Sequence, residues 1–229
     1  QVLASIGQVE LMKIYSTLFC ENDLICSQVL VTKEDFRTRQ HYLNMKNCLE
    51  ALLKCGITPI INENDVISIT ELMFTDNDEL SGLVAAILDV DSLIILTNVD
   101  GVFSGNPENP ESKLISEYDE KQINLEAIIV GKKSNFGRGG MVAKANTATK
   151  LSKLGVKVYI GNGLKDNVIA ELLARNTGTY FPPVSSSTSN VKKWVAQSGG
   201  FAKGHISINI GAAEALISKH ATSLLPIGV

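Results

Sequence analysis

Apolar residues recur along the chain in two rhythms. From Val2 to Phe19, positions Leu3, Ile6, Val9, Leu11, Met12, Ile14, Tyr15, Leu18 and Phe19 fall roughly at helical spacing, which predicts a helix. Leu24 to Val31 is a short apolar run and predicts a buried strand. Thr32 with Asp35 resembles a capping box, so a helix is expected to about Lys54, where Cys55-Gly56 ends it. Ile57 to Ile61 predicts the next strand, Val66 to Thr75 alternates like a hairpin, and Glu79 to Leu88 reads as a helix capped by Asp78. Ser92 to Leu96 is almost wholly apolar, as in a strand buried in a parallel sheet, and runs into a turn at Thr97–Gly101. Met141 to Leu154 predicts a helix closed by Gly155, Val156 to Ile160 the last strand of this domain, and about Asp166 to Ala174 another helix. Alternating strand and helix predict a doubly wound, mainly parallel α/β domain.

Polar stretches break this pattern in informative places. Asn106 to Gln122 reads as a loop, and Gly131 to Gly140, GKKSNFGRGG, is glycine-rich and basic before a helix. Glycines let backbone N–H groups approach a phosphate, and a helix start attracts anions. The segment is neither GxxxxGK[ST] nor GxGxxG, so a surface turn and a phosphate site both stay open. Pro182-Pro183 and Ser185–Ser189 have linker composition. After it a strand-like His205 to Ile210 and a helix from Ala212 to His220 are expected, too little for an independent core. The chain opens at Gln1 already inside a helical pattern and is expected to be a piece of a longer protein.

Composition narrows the function classes. A 229-residue chain that is 45% hydrophobic and 20% charged suits one large globular domain with room for a small second one. A net charge of −3 gives no basic footprint for nucleic acid or an anionic membrane, and no apolar run is long enough to span a bilayer. Cys20, Cys26, Cys48 and Cys55 lack CxxC spacing and lie among apolar residues, so buried free thiols in a reducing, cytoplasmic setting are expected. His41, His205 and His220 are scattered and form no ligand set.

The chemistry concentrates in Ile60 to Gly82. Asn62-Glu63-Asn64-Asp65 follows an apolar strand, and Asp76-Asn77-Asp78 opens a helix. Ligands of α/β sheets bind past the carboxyl ends of strands, and a small ligand with an amine and a carboxylate needs such acids and amides. Asn and Asp are equally at home in turns, so both readings stand on these residues alone.

The order and spacing of INENDVISITELMFTDNDELSGLVAAIL, LIILTNVDGVF, FGRGGMVAKANTATKLSKLG and GTYF resemble the glutamate 5-kinases of the amino-acid kinase family, as do QVLASIGQVELM and SQVLVTKEDF. KKW and GHISINIGAAEALISKHATSLLPIGV resemble the start of a PUA domain. The resemblance implies a three-layer amino-acid kinase fold over residues 1–183, a linker at 184–190 and the beginning of a small β-rich PUA-like domain at 191–229. It implies phosphorylation of the side-chain carboxylate of L-glutamate by ATP with Mg2+, the first step of proline synthesis. It further implies feedback inhibition by proline and a homo-oligomer, dimer or tetramer. By position, Asp65 and Asn77 match glutamate-binding residues, with Asn62 and Asp76 lining the same pocket. Asp78 matches the acid that organises catalytic lysines, and Lys144 the lysine on the transferring phosphoryl group. Thr97 and Asn98 match nucleotide-binding positions, as does the loop of Arg138, Gly139, Gly140, Met141, Val142, Ala143 and Lys144. Many relatives have Asp where Asn98 stands. No metal-ligating residue is assigned.

The family's first strand, with a lysine and a Gly-Thr-Ser-like turn, and its Ser-Gly substrate loop have no counterpart in this sequence. Two other readings are open: the same fold with acetylglutamate, aspartate, carbamate or a nucleoside monophosphate as acceptor, or a PUA-type RNA-binding module with a degenerate kinase domain. The acidic balance and the sparse cations Lys192, Lys193, Lys203 and Lys219 argue against nucleic acid.

Overall fold

Parallel strands joined through helices form the main body of the computed structural model, which describes residues 1–68, 74, 76–105, 109–119, 123, 140–184 and 207–218. Helix α1, Val2–Cys20, leads into strand β1, Ile25–Val31. Helix α2, Arg39–Lys54, carries the chain to strand β2, Ile57–Glu63, which pairs in parallel with β1 from Ile25 opposite Ile57 to Val31 opposite Glu63. Tyr42, Met45 and Leu49 make the buried stripe of α2 at helical spacing.

Helix α3, Asn77–Leu88, turns at Asp89, whose left-handed backbone (φ 52°) ends it, into strand β3, Ser92–Thr97. Twelve helical residues rise about 18 Å at ~1.5 Å each, and six strand residues return about 20 Å, so Thr97 comes back to the level of the start of α3. Helix α4, Met141–Lys153, precedes strand β4, Lys157–Asn162, which runs parallel to β3 with Thr97 opposite Asn162. The short helix α5, Val168–Leu173, and strand β5, Thr179–Phe181, antiparallel to β4, complete this part. Ala85, Ile95, Ala145, Ala148, Leu151, Val158, Ile160 and Phe181 pack into one core between α3, α4 and this sheet. The described residues fall into two units, one within Gln1–Ser198 and one within Gly199–Val229. The second contributes helix α6, Ile210–Ile217, whose start is held by Asn209 Oδ1 accepting the Ala212 N–H at 2.8 Å.

Several expectations are corrected. Asp76, not Asp78, caps α3: its backbone is extended (φ −165°, ψ 174°) and its Oδ1 accepts the Glu79 N–H at 2.9 Å, so the helix starts two residues earlier. The Thr32–Asp35 box caps only a 3-10 turn, Lys33–Phe36, and Thr38 restarts the chain as α2 by accepting the His41 N–H. Val66–Ser68 are not the start of a hairpin, because Ile67 and Ser68 donate back to the Asn64 carbonyl and close a turn; residues 69–73 and 75 lie outside the described residues. β4 is not the last strand, since β5 follows it. Ser207–Asn209 form no strand and Ile210 already belongs to α6, while His205 lies outside the described residues. The cysteines are free but not buried: Cys20, Cys48 and Cys55 are exposed and Cys26 is half-buried. Helix α1 forms as expected, yet none of its residues is buried and Leu3 is 85% exposed.

Candidate active site

Two helix starts meet at one place because a glycine lets them. A methyl group on Gly82 of α3 would stand 2.8 Å from Thr147 Cγ2 of α4, closer than packed carbons approach. One turn earlier on each helix stand Asp78 and Lys144, and Lys144 Nζ donates to Asp78 Oδ2 at 2.6 Å. Their side chains are only 14% and 17% exposed, so the pair is partly desolvated and its attraction is less screened than at a surface. Gly82→Val is expected to destabilise the fold by about 1–3 kcal/mol through overpacking and to lower turnover. Thr147→Ala in the same chain removes the obstructing methyl and should recover part of both, read by thermal unfolding and by rate.

The two helix starts differ in what they leave open. At α3 the Asp76 cap uses one carboxylate oxygen, and its Oδ2 is buried without a hydrogen-bond partner among the described residues. At α4 the cap residue is Gly140, which offers no side chain, so no cap side chain occupies the N–H groups at Met141 and Val142, at the positive end of the helix. Ala143 donates to the Gly140 carbonyl at 2.9 Å, and Lys144 adds a full charge one position on. This is an anion-binding arrangement. Arg138 and Gly139 lie outside the described residues.

The end of β2 is tied by a buried hydrogen bond to Phe74, ahead of α3. Glu63, 9% exposed, accepts the Phe74 N–H on Oε1 at 3.1 Å. Phe74 packs edge-on against Phe36, and Lys33 spans from the Phe74 ring to Glu79 Oε1 at 3.0 Å. Asn64 donates to the Val31 carbonyl at 2.7 Å, which fixes the turn that presents Asp65. Asp65 lines an open cleft of about 410 Å3 together with Gln8, Gln28, Leu30 and Glu63. Asn62 Nδ2 donates to Gln8 Oε1 at 3.1 Å. Asp65 and Asn77 are exposed, each beside one of these elements. Glu63 belongs to the Asn62–Asp65 cluster without a role of its own in the sequence, and Gln8 is not marked there at all; the signal for Gln8 is an amide beside the apolar residues of its helix.

Thr97 and Asn98 stand where β3 ends, with the Thr97 carbonyl accepting the Gly163 N–H at 2.8 Å and Thr97 Oγ1 3.4 Å from Asn98 Oδ1. Beyond them Asp100 Oδ1 accepts from Lys165 Nζ at 2.7 Å and Asn162 Nδ2 at 3.0 Å. The Lys165 ammonium, then the Asn162 amide, hold the Asp100 carboxyl below the ordinary aspartate range. A lowered folded value favours the native state above the unfolded pKa, and that contribution disappears as pH falls through the folded value. Lys165→Met should therefore lower the melting temperature slightly at neutral pH and not in strong acid, a small effect because the pair is solvent-exposed.

The described residues thus bring Asp78, Lys144 and Gly140–Ala143 together, set Asp76 beside them, and join Asn62 and Asp65 through one cleft wall. Residues 1–162 match the model of the amino acid kinase family. The glutamate 5-kinase of Bacteroides thetaiotaomicron is 48% identical over 232 residues, covering 100% of this chain and 64% of the relative. That of Chlorobaculum tepidum is 50% identical over 232 residues, covering 100% and 63%. The chain thus spans less than two thirds of the length of these relatives. The isopentenyl phosphate kinase of T. acidophilum, in a product complex, superposes with a TM-score of 0.53 at 20% identity, over 76% of this chain and 66% of that one, and shares the fold. The family model covers more than half of the chain and the fold agrees with it, so the chain belongs to the amino acid kinase family.

Proposed function

We propose that the protein transfers the γ-phosphoryl group of ATP to the side-chain carboxylate of L-glutamate, giving ADP and L-glutamyl 5-phosphate, the entry step of proline synthesis. The observation that carries this is the Lys144–Asp78 pair at two adjoining helix starts, beside a strand end rich in acids and amides. The similarity to glutamate 5-kinases over the whole of this chain supports the choice of acceptor.

The chemistry joins two anions. A glutamate carboxylate oxygen forms a bond to phosphorus while the bond to the ADP oxygen breaks and its electron pair leaves with ADP. The acceptor is already ionised at neutral pH, so no general base is needed. What the protein must supply is positioning and positive charge. Lys144 Nζ supplies the charge, and Asp78 holds the ammonium in place. The N–H groups at the start of α4 receive phosphate oxygens, and Thr97 and Asn98 contact the nucleotide. Arg138 and Gly139 belong to the same nucleotide loop. Asp65 takes the substrate ammonium, and Asn62 and Asn77 its α-carboxylate.

Mg2+ would be carried mainly by the nucleotide phosphates, as is usual where it serves phosphoryl transfer. Asp76 lines the acceptor pocket with Asn62, and the ion would neutralise phosphate charge. We also assign residues 191–229 to the beginning of a PUA-like domain after a linker at 184–190, and expect a cytoplasmic homo-oligomer inhibited by proline. No helix among the described residues is long and apolar enough to cross a membrane.

The test is ADP release by the full-length protein at saturating MgATP over a panel of acceptors, with hydroxylamine to trap an acyl phosphate. Glutamate-dependent release with hydroxamate formation is expected. Release only with aspartate, acetylglutamate, carbamate or a nucleoside monophosphate would reassign the pocket, and no release with a salt-dependent RNA shift would favour a binding module.

A further inference from the structure

Gln8 is the amide among the α1 residues Ala4, Ser5, Val9 and Met12 that line one cleft. Ala4, Gln8 and Met12 recur at every fourth position of α1, so they share one face, and that face forms a wall of the cleft that contains Asp65. Gln8 uses one end of its amide on Asn62, whose Nδ2 donates to Gln8 Oε1 at 3.1 Å. The other end, Nε2, is buried and has no hydrogen-bond partner among the described residues. An unmet buried donor is costly, and a native structure that keeps one has a use for it. Asp65, exposed in the same cleft, offers a negative charge. An amide donor and a carboxylate in one cleft are complementary to the two ends of an amino-acid head group, the donor to its carboxylate and the acid to its ammonium.

We propose that Gln8 is an acceptor-binding residue: its Nε2–H donates to the α-carboxylate of the amino-acid substrate, while its Oε1 fixes the Asn62 amide beside it. This rests on the reading that the acceptor is glutamate. It adds a residue from α1, remote in sequence from both polar clusters, and makes Gln8 a determinant of specificity for a free α-carboxylate.

The test uses the full-length protein and two substrates that share the reacting side-chain carboxylate, L-glutamate and its α-amide. Gln8→Leu should raise the KM for glutamate about ten- to a hundredfold, the range for a lost hydrogen bond to a charged group, and leave the KM for ATP within about twofold. Gln8→Glu sets a carboxylate against the substrate's own and should shift the kcat/KM preference from glutamate towards the α-amide, by about tenfold or more. A residue that only supports the fold would lower both substrates alike, so an unchanged preference in Gln8→Glu overturns the contact. A glutamate KM within twofold of wild type in a normally melting Gln8→Leu protein overturns it as well. If the wild-type protein itself shows no glutamate-dependent ADP release, the acceptor assignment fails first and this contact with it. That outcome is seen before any variant is compared.

Discussion

Lys144→Ala is expected to lower turnover by about a hundredfold or more, the loss typical when a group that stabilises transition-state charge is removed. Nζ sits 2.6 Å from Asp78 Oδ2, and both side chains are largely shielded from water. The ammonium is therefore preorganised and meets developing phosphoryl charge without first reorganising solvent. The substitution also strands the Asp78 carboxylate, which by itself costs stability. Asp78→Asn in the Lys144→Ala background removes that stranded charge and should restore the melting temperature without restoring the rate. If single-turnover phosphoryl transfer by Lys144→Ala runs at the wild-type rate, Lys144 has no catalytic role.

Asp65→Ala is expected to raise the KM for glutamate about ten- to a hundredfold and to leave the KM for ATP within about twofold, since hydrogen bonds to charged groups are worth roughly 1.5–3 kcal/mol. Asp65 stands on the turn after β2, on the wall of the cleft proposed for the amino acid, whereas the helix start at Gly140 belongs to α4. A carboxylate there can attract an ammonium and would repel a nucleotide, so its loss must act on one substrate. Initial-rate kinetics with each substrate varied in turn separate the cases. Equal increases in both constants would mean that Asp65 supports the fold of the turn and does not touch the amino acid.

How much of this was legible in the sequence depends on how local the determining physics is. The elements from α1 to β4 follow from apolar periodicity, which is set by residues four or fewer positions apart. β5 was missed because three residues, Thr179–Phe181, carry no periodicity and are held by pairing with β4. The cap of α3 was misassigned because Asp76, Asn77 and Asp78 are all plausible caps; which one serves depends on where the backbone leaves the extended region, and Asp76 is the extended one. The cysteines were expected inside because their neighbours are apolar, yet Cys48 next to the fully buried Leu49 points to the other side of α2.

The site was legible in a different way. Its residues were placed by resemblance to a family, since Asp78 and Lys144 are 66 positions apart and nothing local links them. The glycine that brings them together, Gly82, reads in sequence as a mere weak point in a helix. Gln8 had no sequence signal beyond an amide among apolar residues, because its partner Asn62 lies 54 positions away.

The measurement that tests the central claim most directly follows an oxygen atom. L-Glutamate labelled with 18O in both oxygens of its side-chain carboxylate is turned over with MgATP and hydroxylamine, and the released phosphate is weighed by mass spectrometry. If the carboxylate attacks phosphorus, hydroxylamine then expels the phosphate from the carbonyl carbon with the bridging oxygen, so each phosphate carries one labelled oxygen. Unlabelled phosphate, released at the same rate with or without glutamate, would mean that water and not the amino acid accepts the phosphoryl group, and would contradict the assignment of this site.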